Sequence, residues 1–122
     1  MNWSAIAAVF LALAVGLGAF GAHGLKDRLD ANHLDIYKTA VLYHFLHALG
    51  LLTVSVLPKT GALSTESANT VCWLLAAGIL IFSGSLYALA VSGVNLLGAI
   101  TPFGGVAFIA AWVLLAFKLA RN

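Results

Sequence analysis

The sequence predicts an all-α fold, a four-helix bundle that is integral to a membrane. Three stretches carry no Asp, Glu, Lys or Arg: residues 1–25, 39–58 and 67–117. A helix needs about 20 apolar residues to cross a hydrocarbon core of roughly 30 Å, so the first two stretches hold one crossing each. The third has room for two, with a turn at residues 92–95. Composition agrees, because charged residues make up 8% of the chain, against about 25% in soluble domains.

The chain is expected to form a single domain over residues 1–122, with helices at about 3–25, 31–57, 69–91 and 96–119. Helix 1 carries small residues four positions apart, as in Ala8, Ala12 and Gly16. Small residues let helices approach closely in lipid, so we expect helix 1 to be the packing centre of the bundle. The residues predicted to pack between helices are Gly16, Gly18, Gly21, Ala22, Gly84, Gly104 and Gly105.

The loops supply signals for the ends of helices 2 and 3. Asp30 precedes helix 2, where its carboxylate can accept hydrogen bonds from the free amides of the first turn. Pro58 is expected to end helix 2, because proline has no N–H to continue the helix. Ser67 or Asn69 can cap helix 3.

Helix 4 contains a proline near its start, which leaves two arrangements open. Pro102 can open the helix at its first position with Thr101 as cap, or it can kink a longer helix that begins near Asn95. A start at Pro102 leaves about 17 residues before Lys118, which is barely enough to cross a membrane. We therefore favour the longer helix, with a kink or break at Thr101-Pro102.

The sequence predicts a multi-pass membrane protein, and the lipid bilayer is its first expected partner. Three basic residues, Lys59, Lys118 and Arg121, lie on the side of the termini, and three lie on the side of the first loop. Counting Lys and Arg therefore leaves the orientation open. The acidic residues of the first loop lower the net charge on its side, which slightly favours an orientation with the termini in the cytoplasm. There is no run of basic residues, so nucleic acid is not an expected partner.

Polar residues of the spans gather in the half of the membrane nearest the first loop. At 1.5 Å per residue, those of helices 2 and 3 lie within roughly 14 Å of that surface. Ionisable residues at such depth normally face the bundle interior or a water-filled cavity. We therefore predict one polar cavity there, lined by His23, Tyr43, His44, His47, Ser83, Ser85, Tyr87 and Thr101. The alternative is that the histidines only form hydrogen bonds between helices, as Ser and Thr do.

Metal binding and catalysis receive little support from these residues. His44 and His47 are three positions apart on one helix face, but a zinc site wants three or four protein ligands. No carboxylate lies at that depth, and Cys72 lies at the opposite end of its helix. Ser83 and Ser85 lack an acid that could orient a histidine base. We therefore expect no metal, no cofactor and no catalytic residue, and a protein that is not an enzyme.

Four motifs occur in a recognisable order: residues 18–23 (GAFGAH), Tyr43 with His47, residues 82–87 (FSGSLY) and residues 101–105 (TPFGG). Together they resemble a small four-helix family of inner-membrane proteins of unknown function, the family that includes YgdD and YwdK. The resemblance covers essentially the whole chain. His44 is not part of the family pattern. The resemblance implies the four-helix fold and a multi-pass protein of the plasma (inner) membrane, and it brings no activity, substrate or cofactor.

Three functional interpretations follow from the sequence. The first is a non-enzymatic binding or assembly module, which pairs with a second copy or another membrane protein through its small residues. The second is a minimal transporter or channel, with the polar half at the first loop as its entrance. The third is a membrane protein that binds a lipid or a quinone-like molecule.

Overall fold

The computed structural model describes residues 1–121, and over that range it contains four long apolar helices and no strands. The helices are α1 (Trp3–Leu25), α2 (Ala31–Thr60), α3 (Thr65–Ser92) and α4 (Asn95–Ala120). They contain 23, 30, 28 and 26 residues. At 1.5 Å per residue, each is long enough to cross a membrane. The predicted all-α membrane bundle is confirmed.

The helices alternate in direction, as contacts at both ends of the bundle show. At one end, the indole Nε1 of Trp3 in α1 donates to Oδ1 of Asn69 in α3, at 2.8 Å. At the other end, the hydroxyls of Ser85 in α3 and Thr101 in α4 are 2.5 Å apart. We call the first end, which carries the N-terminus and the loop from α2 to α3, the terminal side. The opposite end is the first-loop side.

The helices α2 and α3 form the centre of the bundle, with α1 and α4 on the outside. The core of the terminal half is built from buried apolar residues such as Leu51, Val54, Val71 and Leu75. Only 17% of the most apolar part of α1 is buried, against 44% for α3. The expectation that α1 is the packing centre was therefore wrong. Close helix packing also occurs at glycines of α3 and α4, and the pattern of small residues in α1 carries no information about those contacts.

The ends of the helices follow local capping chemistry. Asp30 caps α2 as predicted, with its carboxylate accepting from the backbone N–H of His33 at 2.8 Å. Helix α3 begins at Thr65, four residues before the predicted position 69, because Ser64 accepts from the N–H of Ser67 and caps it. Pro58 lies in a closing 3₁₀ turn of α2, Leu57–Thr60.

The fourth span is interrupted where the sequence places its proline. A 3₁₀ segment, Asn95–Ala99, precedes the α-helical part, Thr101–Ala120. Pro102 lies in the first turn of the α-helical part, where its missing N–H has no helical partner to lose. The break predicted at Thr101-Pro102 is confirmed. Thr101 does not cap the helix; its hydroxyl bonds to Ser85 instead.

Two helices contain a π-helical segment that the sequence did not indicate. The last turn of α1, Gly21–Leu25, has π geometry, and so does Ile79–Ser83 in the middle of α3. Such segments are rare and often lie at functional positions. The segment in α3 ends at Ser83, so it determines how the polar residues that follow are presented to α2 and α4.

Candidate functional site

His44 of α2 is one of the buried polar side chains of the first-loop half. His44 is 3% exposed, and its Nδ1 lies 2.9 Å from the hydroxyl of Tyr87 in α3. Phe10 of α1 meets the imidazole edge-on, with ring centroids 6.1 Å apart. Within residues 1–121, Nε2 of His44 makes no hydrogen bond. His44 therefore connects α2 to α3 by one hydrogen bond and to α1 by an aromatic contact.

His47 is held by aromatic rings rather than by polar groups of other helices. Its Nδ1 lies 2.8 Å from the backbone carbonyl of Tyr43, one turn earlier. Because a carbonyl only accepts, Nδ1 carries the proton in this bond. The imidazole lies flat on Phe108 of α4, with ring centroids 3.5 Å apart and an interplanar angle of 14°. The ring of Tyr43 is parallel to it at 5.8 Å. His47 is thus part of the interface between α2 and α4.

Two serines of α3 connect it to the neighbouring helices. Ser83 is completely buried and donates to the backbone carbonyl of Ala40 in α2 at 2.9 Å. Ser85 lies 3.0 Å from the carbonyl of Phe82 in its own helix and 2.5 Å from Thr101 of α4. These serines therefore join α3 to α2 on one face and to α4 on the other.

Tyr37 belongs to the same group of residues, although it was not among the predicted site residues. Its hydroxyl donates to the backbone carbonyl of Leu17 in α1 at 2.5 Å. Its ring packs edge-on against Tyr87, with centroids 5.2 Å apart. Its ring also lies where a Cβ on Gly21 would be, so α1 needs glycine there. Gly21 was predicted to pack against another helix, but the sequence did not indicate that Tyr37 is the residue it meets.

The structure does not bring His23 to this group. His23 lies in the last turn of α1 and is exposed on the first-loop side. Near this end, α1 and α2 enclose a small cavity of about 140 Å³, lined by Gly18, Gly21, Ala22, Leu34, Tyr37, Lys38 and Val41. Over the described part of the chain, no three His, Cys, Asp or Glu side chains gather in a way that could hold a metal ion.

The glycines expected to pack between helices differ in how closely they are approached. A Cβ on Gly104 would collide with the backbone of Phe82, whereas one on Gly105 would stay 3.8 Å from the ring of Phe82. A Cβ on Gly18 would lie 3.4 Å from Val41. A Cβ on Gly16 or Gly84 would meet no atom of another helix within 4 Å. Among these glycines, Gly104 is therefore the one whose Cβ would meet the backbone of another helix, where α4 crosses the π segment of α3.

A second candidate site lies on the terminal side, where the membrane-spanning segments carry few polar residues. A cleft of about 450 Å³ separates the start of α1, the end of α2 and the start of α3. We call it the terminal cleft; its lining residues are Met1, Asn2, Trp3, Ser4, Ser55, Pro58, Lys59, Thr65, Ala68, Asn69 and Cys72. The sequence did not predict this cleft, because its polar residues are spread over the ends of three helices and come together only in the folded bundle.

The four apolar helices, antiparallel and joined by short loops, define a small multi-pass membrane protein. The family model described as "Protein of unknown function (DUF423)" matches residues 17–105. The chain belongs to this family.

Similar proteins are named as UPF0382 membrane proteins. The UPF0382 membrane protein YwdK of Bacillus subtilis is 50% identical over 116 residues, which cover 95% of this chain and 94% of the relative. A UPF0382 membrane protein of Staphylococcus saprophyticus is 48% identical, over 84% of this chain and 83% of its own length. One from Staphylococcus epidermidis is 46% identical, over 89% and 87%. No solved structure matches the chain.

Proposed function

We propose that this protein is a non-enzymatic assembly module of the membrane that associates with a second copy of itself. The observation that carries the proposal is how the polar side chains of the first-loop half are used. The hydroxyls of Ser83, Ser85 and Tyr87 each bond to a group on a neighbouring helix. His47 is stacked against Phe108. These groups hold the bundle together, and such interhelical bonds are a common use of polar residues in membranes.

The surface offered for assembly is the outer face of α1. Ala8, Ala12 and Gly16 lie four residues apart and are all exposed, and a Cβ on Gly16 would point into open space. Small residues at this spacing let two membrane helices come into backbone contact. A twofold pair places the same face of each copy against the other, so a self-complementary face is sufficient.

The alternatives have weaker support. A transporter or channel with a polar entrance needs polar groups that are free to meet a passing solute, whereas the hydroxyls of Ser83, Ser85 and Tyr87 are already bonded within the bundle. A lipid-binding protein is favoured by a different observation, the terminal cleft.

Cross-linking in native membranes tests the assembly proposal. In a Cys72→Ala background, Ala12→Cys is expected to form a disulfide-linked dimer on mild oxidation. Val113→Cys is the matched control, since it lies on the outer face of α4 and is 63% exposed. A dimer at position 12 but not at position 113 supports the proposal. Equal cross-linking at both positions, or none at position 12, would mean that this face of α1 contacts only lipid.

A further inference from the structure

The terminal cleft presents hydrogen-bond donors that the protein itself does not use. Oδ1 of Asn2 accepts from the N–H of Ala5 at 3.0 Å, and Oδ1 of Asn69 accepts from Trp3 at 2.8 Å. These bonds fix the orientation of both amides, because a donor N–H must face the oxygen. The Nδ2 groups of both asparagines donate to no other residue within 1–121. Two amide donors are therefore left at the rim of one cleft.

The cleft also carries a positive charge, which favours the same kind of ligand as its amide donors. Lys59 lines it, and none of its lining residues is Asp or Glu. The ammonium of Lys59 forms no ion pair with any residue in 1–121. The cleft also lies at the starts of α1 and α3, where the helix dipole favours negative charge. It lies at the end of α2 as well, where Lys59 offsets the opposite dipole. A ligand that accepts several hydrogen bonds and carries negative charge matches this arrangement.

The position and the remaining lining residues narrow the ligand further. Trp3 and Trp73 pack edge-on with ring centroids 5.0 Å apart on the terminal side, and tryptophan is enriched where membrane meets water. Phosphate groups of lipids lie at that level. Pro58, Ala68 and Cys72 give the cleft an apolar part beside its polar rim. Its volume of about 450 Å³ lies in the usual range for small-molecule sites.

We infer that the terminal cleft binds a phosphate ester, the phosphate of an anionic phospholipid headgroup. Lys59 supplies the opposite charge, and the amides of Asn2 and Asn69 donate to the phosphate oxygens. The glycerol and the first carbons of the acyl chains then lie against the apolar part of the cleft. This site goes beyond the assembly role, because it does not involve the outer face of α1.

Two variants test the site without removing a contact that the fold uses. Lys59→Gln removes the charge of an exposed side chain. Asn69→Asp keeps an oxygen that accepts from Trp3, but replaces the free donor with a negative charge. Each has a matched control outside the cleft: Lys118→Gln on the same side of the membrane, and Asn95→Asp on the first-loop side.

The measurement is the thermal stability and lipid retention of the purified full chain. It compares nanodiscs of phosphatidylcholine alone with nanodiscs of equal parts phosphatidylglycerol and phosphatidylcholine. Wild type and both controls are expected to be stabilised by phosphatidylglycerol and to retain it in native mass spectrometry. Lys59→Gln and Asn69→Asp are expected to bind it about five- to tenfold more weakly, the effect of one charge-assisted contact at a membrane surface.

A second arm separates a lipid phosphate from free phosphate. Inorganic phosphate is added to the phosphatidylcholine nanodiscs. Stabilisation there that depends on Lys59 would support the phosphate site but assign it to the soluble ion. If the protein is equally stable in both lipid mixtures and added phosphate has no effect on its stability, the proposal is overturned. So does an equal loss in Lys118→Gln and Lys59→Gln, which would indicate only the general charge of the surface. The cross-linking test of assembly fails or succeeds independently of these outcomes.

Discussion

Gly104 of α4 lies directly against the backbone of Phe82 in α3, at a distance that leaves no room for a Cβ. Phe82 is part of the π segment Ile79–Ser83. The bulged turn of one helix therefore meets a glycine of the other, just after the break that opens the α-helical part of α4. Where lipid provides no hydrophobic drive for helix association, such close contact is a main source of stability.

Gly104→Ala should destabilise the bundle, because the new methyl group would meet backbone atoms, which cannot move aside as a flexible side chain can. Overpacking of this kind typically costs about 1–3 kcal/mol. The thermal unfolding midpoint of the detergent-purified protein measures the change. Gly105→Ala is the control, since its Cβ would stay 3.8 Å from the ring of Phe82. Equal midpoints for the two variants would contradict the close crossing.

Ser83→Ala should also lower stability, by a smaller amount. It removes the buried hydrogen bond to the carbonyl of Ala40, and interhelical bonds in membranes contribute on average about 0.6 and at most about 1.7 kcal/mol. Ser92→Ala is the matched control, because Ser92 is exposed and donates to Ala88 within its own helix. The pair is compared by unfolding in a denaturing detergent mixture. A loss no greater for Ser83→Ala than for Ser92→Ala would show that the buried bond adds nothing.

The cap of α2 should make stability depend on pH in the acid range. The N–H of His33 donates to the Asp30 carboxylate, and the ring of His33 lies beside it, so the pKa of Asp30 falls below its ordinary value of 3.8. A lowered pKa in the folded state stabilises the protein above the unfolded value, and this contribution disappears as pH falls through the folded value.

Thermal midpoints measured from neutral to acid pH should therefore decline more in wild type than in Asp30→Asn. Asparagine still caps the helix but does not titrate. The difference between the two curves isolates Asp30 from the other carboxyl groups. Parallel curves would mean that the cap is not formed by the ionised carboxylate.

The positions of the loops predict a simple labelling pattern. In a Cys72→Ala background, cysteines at Asn2, Thr60 and Arg121 should react with a membrane-impermeant maleimide from the same side. A cysteine at Arg28 in the first loop should react from the opposite side. With the termini in the cytoplasm, only Arg28→Cys is labelled in intact cells. Labelling of all four positions from one side would exclude four crossings.

The sequence was sufficient for the architecture because the bilayer imposes strong rules. Charge-free stretches of the right length predicted all four spans, and Asp30 and Pro102 marked a cap and a break that the structure contains. The start of α3 was less certain, since Ser64, Ser67 and Asn69 are all competent caps and the sequence alone does not rank them.

Which polar residues bond to one another could not be predicted from these rules. Spacing placed His44, Ser83 and Tyr87 at a common depth, but depth does not say which residue meets which. The bond from Tyr37 to Leu17 uses a backbone carbonyl, which carries no signature in the sequence. The terminal cleft is a property of three helix ends that come together only in the folded bundle.

The π segment of α3 also affects how changes in chain length are tolerated. A π turn accommodates one residue more than an α-helical turn does, and each residue of an α-helix advances the helix by about 100°. Deletion of one residue from the α-helical part of α3 that precedes the π segment would rotate Ser85 and Tyr87 relative to the start of the helix, and so away from their partners. Deletion of Leu80, which is 64% exposed within the π segment, would instead convert that turn to ordinary α-helix and leave both residues facing their partners. The bulge is thus a place where the gene can lose a codon while the interfaces of the helix are preserved.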